Sequence, residues 1–164
     1  MPRDSTTPAS SASPNRGDAW VAAQLALMAA TVGLGFVPPE WPESVDRPLD
    51  WAGALCAILG ANLVYLSARA LGRALTPFPR PRREGELVTE GPYRLARHPI
   101  YGGGLLFFLG WALFSRPLAL LGVAALAALW VGKSSLEERL LADRFPDYER
   151  YRRETPRRFV PFIA

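Results

Sequence analysis

Four long apolar runs dominate the pattern of this chain, over residues 19–37, 49–71, 99–115 and 117–132. A helix that crosses a membrane needs about 20 mostly apolar residues, a length that the first two runs reach and the last two approach. The pattern therefore predicts an all-α integral membrane protein with about four transmembrane helices. Proline residues close the first run, which we interpret as an uncleaved helix because the apolar centre of a signal peptide is shorter.

The third and fourth runs are separated only by Arg116 and Pro117, so we expect their helices to be antiparallel neighbours. Both runs are short for a bilayer. Either local thinning of the membrane or a site at the cytoplasmic boundary would accommodate that length. We favour a site, because the most polar segments of the chain adjoin these two runs.

Cationic residues are distributed unevenly between the apolar runs. Arginines crowd the segment before the third run and the tail after the fourth, whereas Arg47 and Arg116 are the only cations in the other two connections. The positive-inside rule then places both termini and the central loop in the cytoplasm. We predict an integral protein of the cell inner membrane.

Composition adds limits on domains and partners. Residues 1–18 are rich in Ser, Thr and Pro and predict a disordered lead, which leaves residues 19–164 as one membrane-integral domain. The net charge of +4 fits the lipid bilayer as partner, and the apolar runs argue against nucleic acid. Cys56 is the only cysteine, so we predict no disulfide and no metal site.

The two polar segments differ in their predicted structure. The loop over residues 76–98 is rich in proline and charge, and we expect it to lie irregularly over the helices. In the tail, Ser135 and Glu138 have the spacing of a capping box, which predicts the start of a separate amphipathic helix. Pro146 should interrupt that helix before it resumes over residues 148–153.

Several polar residues near the membrane boundary have two interpretations on residue type alone. Gly102, Gly103 and Gly104 suit close helix packing or room for a cofactor. His98, the only histidine, precedes Pro99 and is either an interfacial anchor or part of an anion-binding helix start. Glu137 is either a helix cap or a ligand for an ammonium or sulfonium group.

Three segments in a fixed order point to a known family. They are LVTEGPY at 87–93, RHPIYG at 97–102, and Glu137-Glu138 followed by Phe145, Tyr148, Tyr151 and residues 161–163. In this combination the chain resembles the isoprenylcysteine carboxyl methyltransferases and their bacterial relatives, which share features with phospholipid methyltransferases. The resemblance covers about half of the chain.

The resemblance implies an S-adenosylmethionine-dependent methyltransferase that acts on a lipophilic acceptor, such as an isoprenylcysteine carboxylate or another lipid. The cofactor would lie between the cytoplasmic loop, the start of the third helix and the amphipathic C-terminal helix. The positions that match the family's cofactor site are Glu86, Leu87, Val88, Tyr93, His98, Pro99, Tyr101 and Glu137. Lys133 matches a cation near the substrate, and its alternative is an anchor that snorkels to the interface.

The chemistry leaves the catalytic residues open. Methyl transfer is an in-line displacement that mainly requires alignment of donor and acceptor. The ring faces of Tyr93 and Tyr101 could contact the sulfonium, and His98 could orient the cofactor. A carboxylate or thiolate acceptor needs no base, whereas an amine or phenol would need His98 or a glutamate. The alternative function is a catalytically silent membrane protein that retains the motif for ligand sensing or assembly.

Overall fold

The computed structural model describes residues 17–79 and 86–159. This part of the chain contains five α-helices and no strand, which confirms the prediction of an all-α fold. The helices are α1 (Asp18–Leu34), α2 (Glu43–Leu71), α3 (Pro99–Phe114), α4 (Ala119–Arg144) and α5 (Tyr148–Glu154), with 3₁₀ turns at Gly72–Ala74 and Gly91–Arg94. The predicted lead at residues 1–18 lies outside the described residues except for its last two, and Asp18 begins α1.

Two of the helices, α2 and α4, are long and apolar enough to cross a membrane. The apolar helices α1 and α3 have 17 and 16 residues. Much of the apolar surface of α2 points away from the other helices, with Trp51 79% exposed and Ile58 66% exposed. Such a continuous apolar surface is unfavourable in water and suits contact with lipid.

Close backbone contact joins α2 to α3. A Cβ atom on Gly53 would lie 2.7 Å from the carbonyl oxygen of Gly110, and one on Gly103 would lie 2.9 Å from the carbonyl oxygen of Gly60. The pairing is antiparallel, and seven residues separate the two glycines on each helix. Small residues at this spacing let the helix backbones touch and hold the start of α3 at a fixed height on α2.

The glycines at 102–104 belong to this packing. Gly103 contacts α2, Gly104 faces the ring of Trp130, and Gly102 faces the backbone of Phe159. None of the three lines the cavity described below. The structure therefore favours close packing over cofactor room as the reason for this glycine run.

The prediction of a separate helix that begins at Ser135 is wrong. Helix α4 continues without a break from Ala119 to Arg144, and the hydroxyl of Ser135 donates a hydrogen bond back to the carbonyl of Val131 at 2.8 Å. A capping box requires a non-helical residue at the cap, and nothing in this segment interrupts the helix. The predicted interruption near Pro146 and the second helix after it are present, with α5 beginning at Tyr148.

Helix boundaries differ from the apolar runs in two further places. Helix α2 begins at Glu43, six residues before the second apolar run. Its first turn, which follows Pro42, is polar, so the apolar pattern did not reveal it. Helix α4 begins at Ala119 instead of at Pro117. Helices α3 and α4 pack against each other as expected, and α1 packs mainly against α4.

Candidate functional site

A cavity of about 400 Å³ lies where the loop at residues 86–93 meets the start of α3 and the C-terminal half of α4. Its volume falls within the range of about 300–1,000 Å³ that is typical of small-molecule sites. Eight of the nine predicted site residues line it: Glu86, Leu87, Val88, Tyr93, His98, Tyr101, Lys133 and Glu137. The ninth, Pro99, is buried as the first residue of α3 and is not on the cavity wall.

One face of α4 forms a long wall of this cavity. Lys133, Glu137 and Leu141 lie four residues apart, and Phe145 follows at the same spacing where the helix ends. At a rise of 1.5 Å per residue, these four side chains extend over about 18 Å. The cavity wall thus carries a cation at one end, an acid near the middle and apolar groups at the other end. This continuous wall exists only because α4 does not break at Ser135.

Glu137 presents its carboxylate to the cavity. The hydroxyl of Tyr101 donates a hydrogen bond to one carboxylate oxygen at 2.5 Å, and Nδ1 of His98 lies 3.5 Å from the other. The side chain is 17% exposed, so the carboxylate is oriented by these neighbours without being enclosed. A carboxylate has about four acceptor positions, so it retains capacity for a cationic ligand.

Glu138, the next residue, has a different role. Its carboxylate contacts the guanidinium of Arg97 at 2.9 Å, Nε2 of His98 at 3.2 Å and the guanidinium of Arg158 at 3.4 Å. The side chain is only 9% exposed and does not line the cavity. Glu138 therefore holds Arg97, His98 and Arg158 in place and does not face the cavity.

The imidazole of His98 lies between the two glutamates. Burial acts to lower the pKa of His98, but hydrogen bonds with Glu137 and Glu138 and the charges of these two residues outweigh it, so the pKa lies above its ordinary value of 6.5. A protonated imidazole can donate from both ring nitrogens, which matches two carboxylates on opposite sides of the ring. His98 thus bridges Glu137, which faces the cavity, and Glu138, which does not.

The ring of Tyr101 is already covered. It stacks on His98 with a centroid distance of 5.7 Å and on Trp130 with a centroid distance of 5.5 Å, and Nζ of Lys133 lies 5.5 Å from its centroid. The expected contact of its ring face with a sulfonium is therefore replaced by contacts within the protein. The hydroxyl group of Tyr101 is the part that acts at the cavity, because it orients the carboxylate of Glu137.

Lys133 is 1% exposed, although it carries a charge. Its ammonium group donates hydrogen bonds to the side-chain oxygen of Gln24 and to the carbonyl of Pro77, both at 2.8 Å. The snorkelling alternative is wrong, because the ammonium group lies inside the protein on the cavity wall. Two of its three N–H bonds are occupied in the part of the chain that the structure describes, which leaves one donor for a ligand.

Gln24 is a residue of the cavity wall that the sequence did not predict. Its side-chain oxygen accepts hydrogen bonds from both Lys133 and the indole of Trp130, the latter at 3.0 Å. Gln24 is also part of the cavity wall, so α1 contributes directly to the site. The available signal was an amide inside an otherwise apolar run, which is costly in a membrane unless it finds a partner.

A C-terminal strap, defined here as Thr155–Phe159, was also not expected. The backbone N–H groups of Arg97 and His98 donate to the carbonyls of Arg157 and Arg158 at 3.0 and 2.7 Å. The guanidinium of Arg97 also donates to the carbonyl of Thr155 at 2.8 Å. The strap crosses the start of α3 at Gly102, where any Cβ atom would meet its backbone. These contacts fix the backbone of Arg97 and His98 against the strap.

Three further tyrosines, Tyr93, Tyr148 and Tyr151, line the cavity. The hydroxyl of Tyr151 donates to the carbonyl of Tyr93 at 2.7 Å, which ties α5 to the loop. Tyr148 is 1% exposed and lines the cavity, and its hydroxyl has no hydrogen-bond partner among the described residues. Over residues 17–79 and 86–159, no group of three or more His, Cys, Asp or Glu side chains could hold a metal ion.

The bridge formed by His98 predicts a pH-dependent stability. Below pH 6.5 His98 is protonated in both the folded and the unfolded chain, so its full contribution is present. As the pH rises from there through the raised folded-state pKa, that contribution is lost, at up to about 1.4 kcal/mol per pH unit. Thermal unfolding of the wild type and His98→Gln in detergent should therefore differ most in acid and converge in base. A difference independent of pH would contradict the bridge.

The amino-acid sequence is similar to that of several known proteins. Residues 49–147 match the phospholipid methyltransferase family. The chain is 36% identical over 117 residues to the cobalt-zinc-cadmium resistance protein CzcN of Cupriavidus metallidurans, which covers 70% of this chain and 53% of that protein. It is 30% identical over 117 residues to the nickel-cobalt-cadmium resistance protein NccN of Alcaligenes xylosoxydans xylosoxydans, with coverage of 70% and 54%.

A third relative is protein-S-isoprenylcysteine O-methyltransferase B of Arabidopsis thaliana, which is 32% identical over 102 residues, or 60% of this chain and 47% of that protein. The chain thus spans about half the length of the curated relatives it matches. The family match includes the loop, the start of α3 and the acidic part of α4, and it confirms the resemblance seen in the sequence. The chain belongs to the phospholipid methyltransferase family.

Proposed function

We propose that this protein is a membrane-embedded methyltransferase that uses S-adenosylmethionine and methylates a lipophilic acceptor. The observation that carries the proposal is the cavity wall on α4, which places the carboxylate of Glu137 between the buried ammonium of Lys133 and an apolar pocket. Family membership supports methyl transfer as the reaction class. The isoprenylcysteine methyltransferase relative supports a lipid-linked acceptor.

The proposed topology has four membrane-crossing helices, α1 to α4, with both termini and the loop before α3 in the cytoplasm of a cell with an inner membrane. The length and apolarity of α2 and α4 support two of these spans directly. The charge asymmetry between the connections supports the orientation. The cavity would then open at the cytoplasmic boundary of the bilayer.

Reporter fusions test this topology. A reporter fused after residue 164 and one inserted between Arg80 and Arg83 should both be active in the cytoplasm, because both adjoin the arginine-rich segments. A reporter inserted at Glu40, in the connection between α1 and α2, should be active on the opposite side. The same side for all three reporters would contradict the four-span arrangement.

The residues of the cavity fit this cofactor chemically. S-adenosylmethionine supplies a methyl group on a sulfonium, and an acceptor lone pair takes that methyl group while the bonding electrons return to sulfur. Glu137 offers an oriented anionic group to the positive charges of such a ligand. Pro99 begins α3, and Glu86, Leu87 and Val88 line the cavity from the loop.

The cofactor assignment predicts unequal effects for neighbouring acids. Glu137→Gln should weaken S-adenosylmethionine binding by roughly 10- to 150-fold, since losing one charge-assisted hydrogen bond costs about 1.5–3 kcal/mol. Calorimetric titration of the purified protein measures the affinity. Glu149→Gln is the matched control, because Glu149 is exposed and pairs only with Arg152 among the described residues. Equal affinities for Glu137→Gln and the control would contradict the assignment.

The acceptor would bind at the Lys133 end of the cavity. The remaining donor of the buried ammonium suits an anionic or carbonyl oxygen, and Gln24 and Pro77 hold the nitrogen in place. An apolar chain on the acceptor would extend from there toward the bilayer, with each buried CH₂ contributing about 0.8 kcal/mol. We therefore propose that the acceptor enters laterally from the membrane and the cofactor from the cytoplasm.

Turnover tests the whole proposal. Incubation of purified protein with methyl-labelled S-adenosylmethionine and a lipid extract should yield a labelled lipid, identified by mass spectrometry. Lys133→Gln should lower acceptor use by at least about tenfold while cofactor affinity changes less, because a charged hydrogen bond is replaced by a neutral one. Arg139→Gln, which is exposed on the same helix, is the control. Cofactor binding without any labelled product would favour a silent sensor.

A further inference from the structure

Gln24 brings α1 to the cavity, although α1 ends at Leu34 and the family match begins only at residue 49. The residue belongs to the inward face of this helix, because Leu27 and Met28, one turn later, pack against the buried core. The motifs on which family membership rests therefore assign it no role.

Two close contacts hold α1 on α4 on either side of Gln24. A Cβ atom on Gly122 would lie 2.8 Å from the Cα atom of Thr31, and one on Gly132 would lie 3.1 Å from the ring of Trp20. Helices that touch at small residues cannot easily slide past each other. Because Gln24 lies between Trp20 and Thr31, packing alone holds its amide group at a fixed height on α4.

The contacts of this amide group distinguish its oxygen from its nitrogen. Nζ of Lys133 and Nε1 of Trp130 lie 2.8 and 3.0 Å from the same amide atom of Gln24. Both nitrogens can only donate, so the atom that they share has to be the oxygen. The NH₂ group of Gln24 is therefore the part of the side chain that these two residues do not use.

The NH₂ group of Gln24 has no hydrogen-bond partner over residues 17–79 and 86–159. It is also accessible, because the buried side-chain atoms without a partner in those ranges are Nε1 of Trp111 and the hydroxyl of Tyr148. Gln24 is half-buried, faces the other helices and lines the cavity. An accessible donor on a cavity wall is available to a ligand.

This end of the cavity offers hydrogen-bond donors to a ligand. The oxygen of Gln24 has accepted two hydrogen bonds, which uses both of its lone pairs, while the ammonium of Lys133 retains one N–H. Two donors, one of them charged, attract an oxygen atom and repel an ammonium group. Glu137, one turn further along α4, is the acid that the proposed function gives to the cofactor.

We infer that Gln24 is a specificity-determining residue. Its oxygen holds the ammonium of Lys133, and its NH₂ group donates a hydrogen bond to an oxygen at the polar end of the acceptor. The inference rests on the proposed function and extends it, because this arrangement selects an acceptor that ends in an acidic or carbonyl oxygen over one that ends in an amine.

Two substitutions separate the two roles of the amide. Gln24→Glu keeps an oxygen for Lys133 and Trp130 and removes the NH₂ donor, whereas Gln24→Met keeps the length of the side chain and removes both groups. If Gln24 only held Lys133 in place, Gln24→Glu would behave as the wild type. Thr31→Val is the control, because it removes a polar group from the same face of α1 at a position outside the cavity.

The probes are (farnesylthio)acetate and S-farnesylcysteamine, which share an isoprenoid chain and end in a carboxylate and an amine. Binding of each tritium-labelled probe is measured on the purified full chain in nanodiscs, in the presence of saturating S-adenosylhomocysteine. The wild type and Thr31→Val should bind the acid more tightly than the amine. Gln24→Glu should weaken binding of the acid by roughly 10- to 150-fold, because a hydrogen bond to a charged group is lost. Its affinity for the amine should not fall.

Thermal unfolding of the same proteins supplies the second readout. Gln24→Met should melt below the wild type, because Lys133 and Trp130 lose their shared acceptor, and Gln24→Glu should melt above Gln24→Met. Equal affinity of the wild type and Gln24→Glu for the acid would overturn the inference and leave Gln24 as an anchor for Lys133. Tighter binding of the amine than of the acid by the wild type would overturn the proposed selectivity.

The outcomes also separate this inference from the proposed function. If calorimetry shows that the wild type binds S-adenosylhomocysteine but it binds neither probe, the inference on Gln24 fails and the cofactor proposal stands. If the wild type does not bind S-adenosylhomocysteine, the cofactor proposal fails and the inference fails with it.

Discussion

The buried carboxylate of Glu138 connects three parts of the chain that are far apart in sequence. It contacts Arg97 and His98 at the start of α3 and Arg158 in the C-terminal strap, while Glu138 itself lies on α4. A buried charge with several partners stabilises its surroundings only as a complete set, because removing one partner leaves the others buried and uncompensated, at a cost of about 3–5 kcal/mol. Glu138 therefore helps to hold the start of α3 and the strap against α4.

The two adjacent glutamates have different roles. Glu138 faces inward and is saturated with cationic partners, whereas Glu137, about 100° further around the helix, faces the cavity and keeps acceptor capacity. His98 contacts both, so the orientation of Glu137 depends on Glu138. The same imidazole stacks on Tyr101, whose hydroxyl completes the orientation of Glu137.

Because α4 is continuous, it forms one long wall of the cavity. A helix that passes from an apolar run into a polar segment without a break carries Lys133, Glu137, Leu141 and Phe145 on one face. The glycine contacts between α2 and α3 fix the position of α3 along α2, because helix backbones in contact cannot easily slide past each other. Helix α1 closes the site through Gln24, whose amide oxygen holds the ammonium of Lys133 in an otherwise apolar environment.

Sequence alone predicted the helical class, most of the helix positions and eight of the residues that line the cavity. The apolar runs locate the helices because burial in lipid or protein follows hydrophobicity. The RHPIYG and Glu-Glu segments point to the phospholipid methyltransferase family. The expected break at Ser135 failed because capping residues are also tolerated inside a helix when their hydroxyls bond to the preceding turn.

Only the tertiary structure decided which residues meet. Gln24 and Lys133 are 109 positions apart, and Arg97 and Thr155 are 58 apart, so no local spacing predicts either contact. The roles of Glu137 and Glu138 differ by one residue in sequence and by the direction in which α4 faces its neighbours. The unpaired hydroxyl of Tyr148 is likewise a property of packing. Residue type sets what a side chain can bind, and the packing of the helices sets which partners come within hydrogen-bond distance.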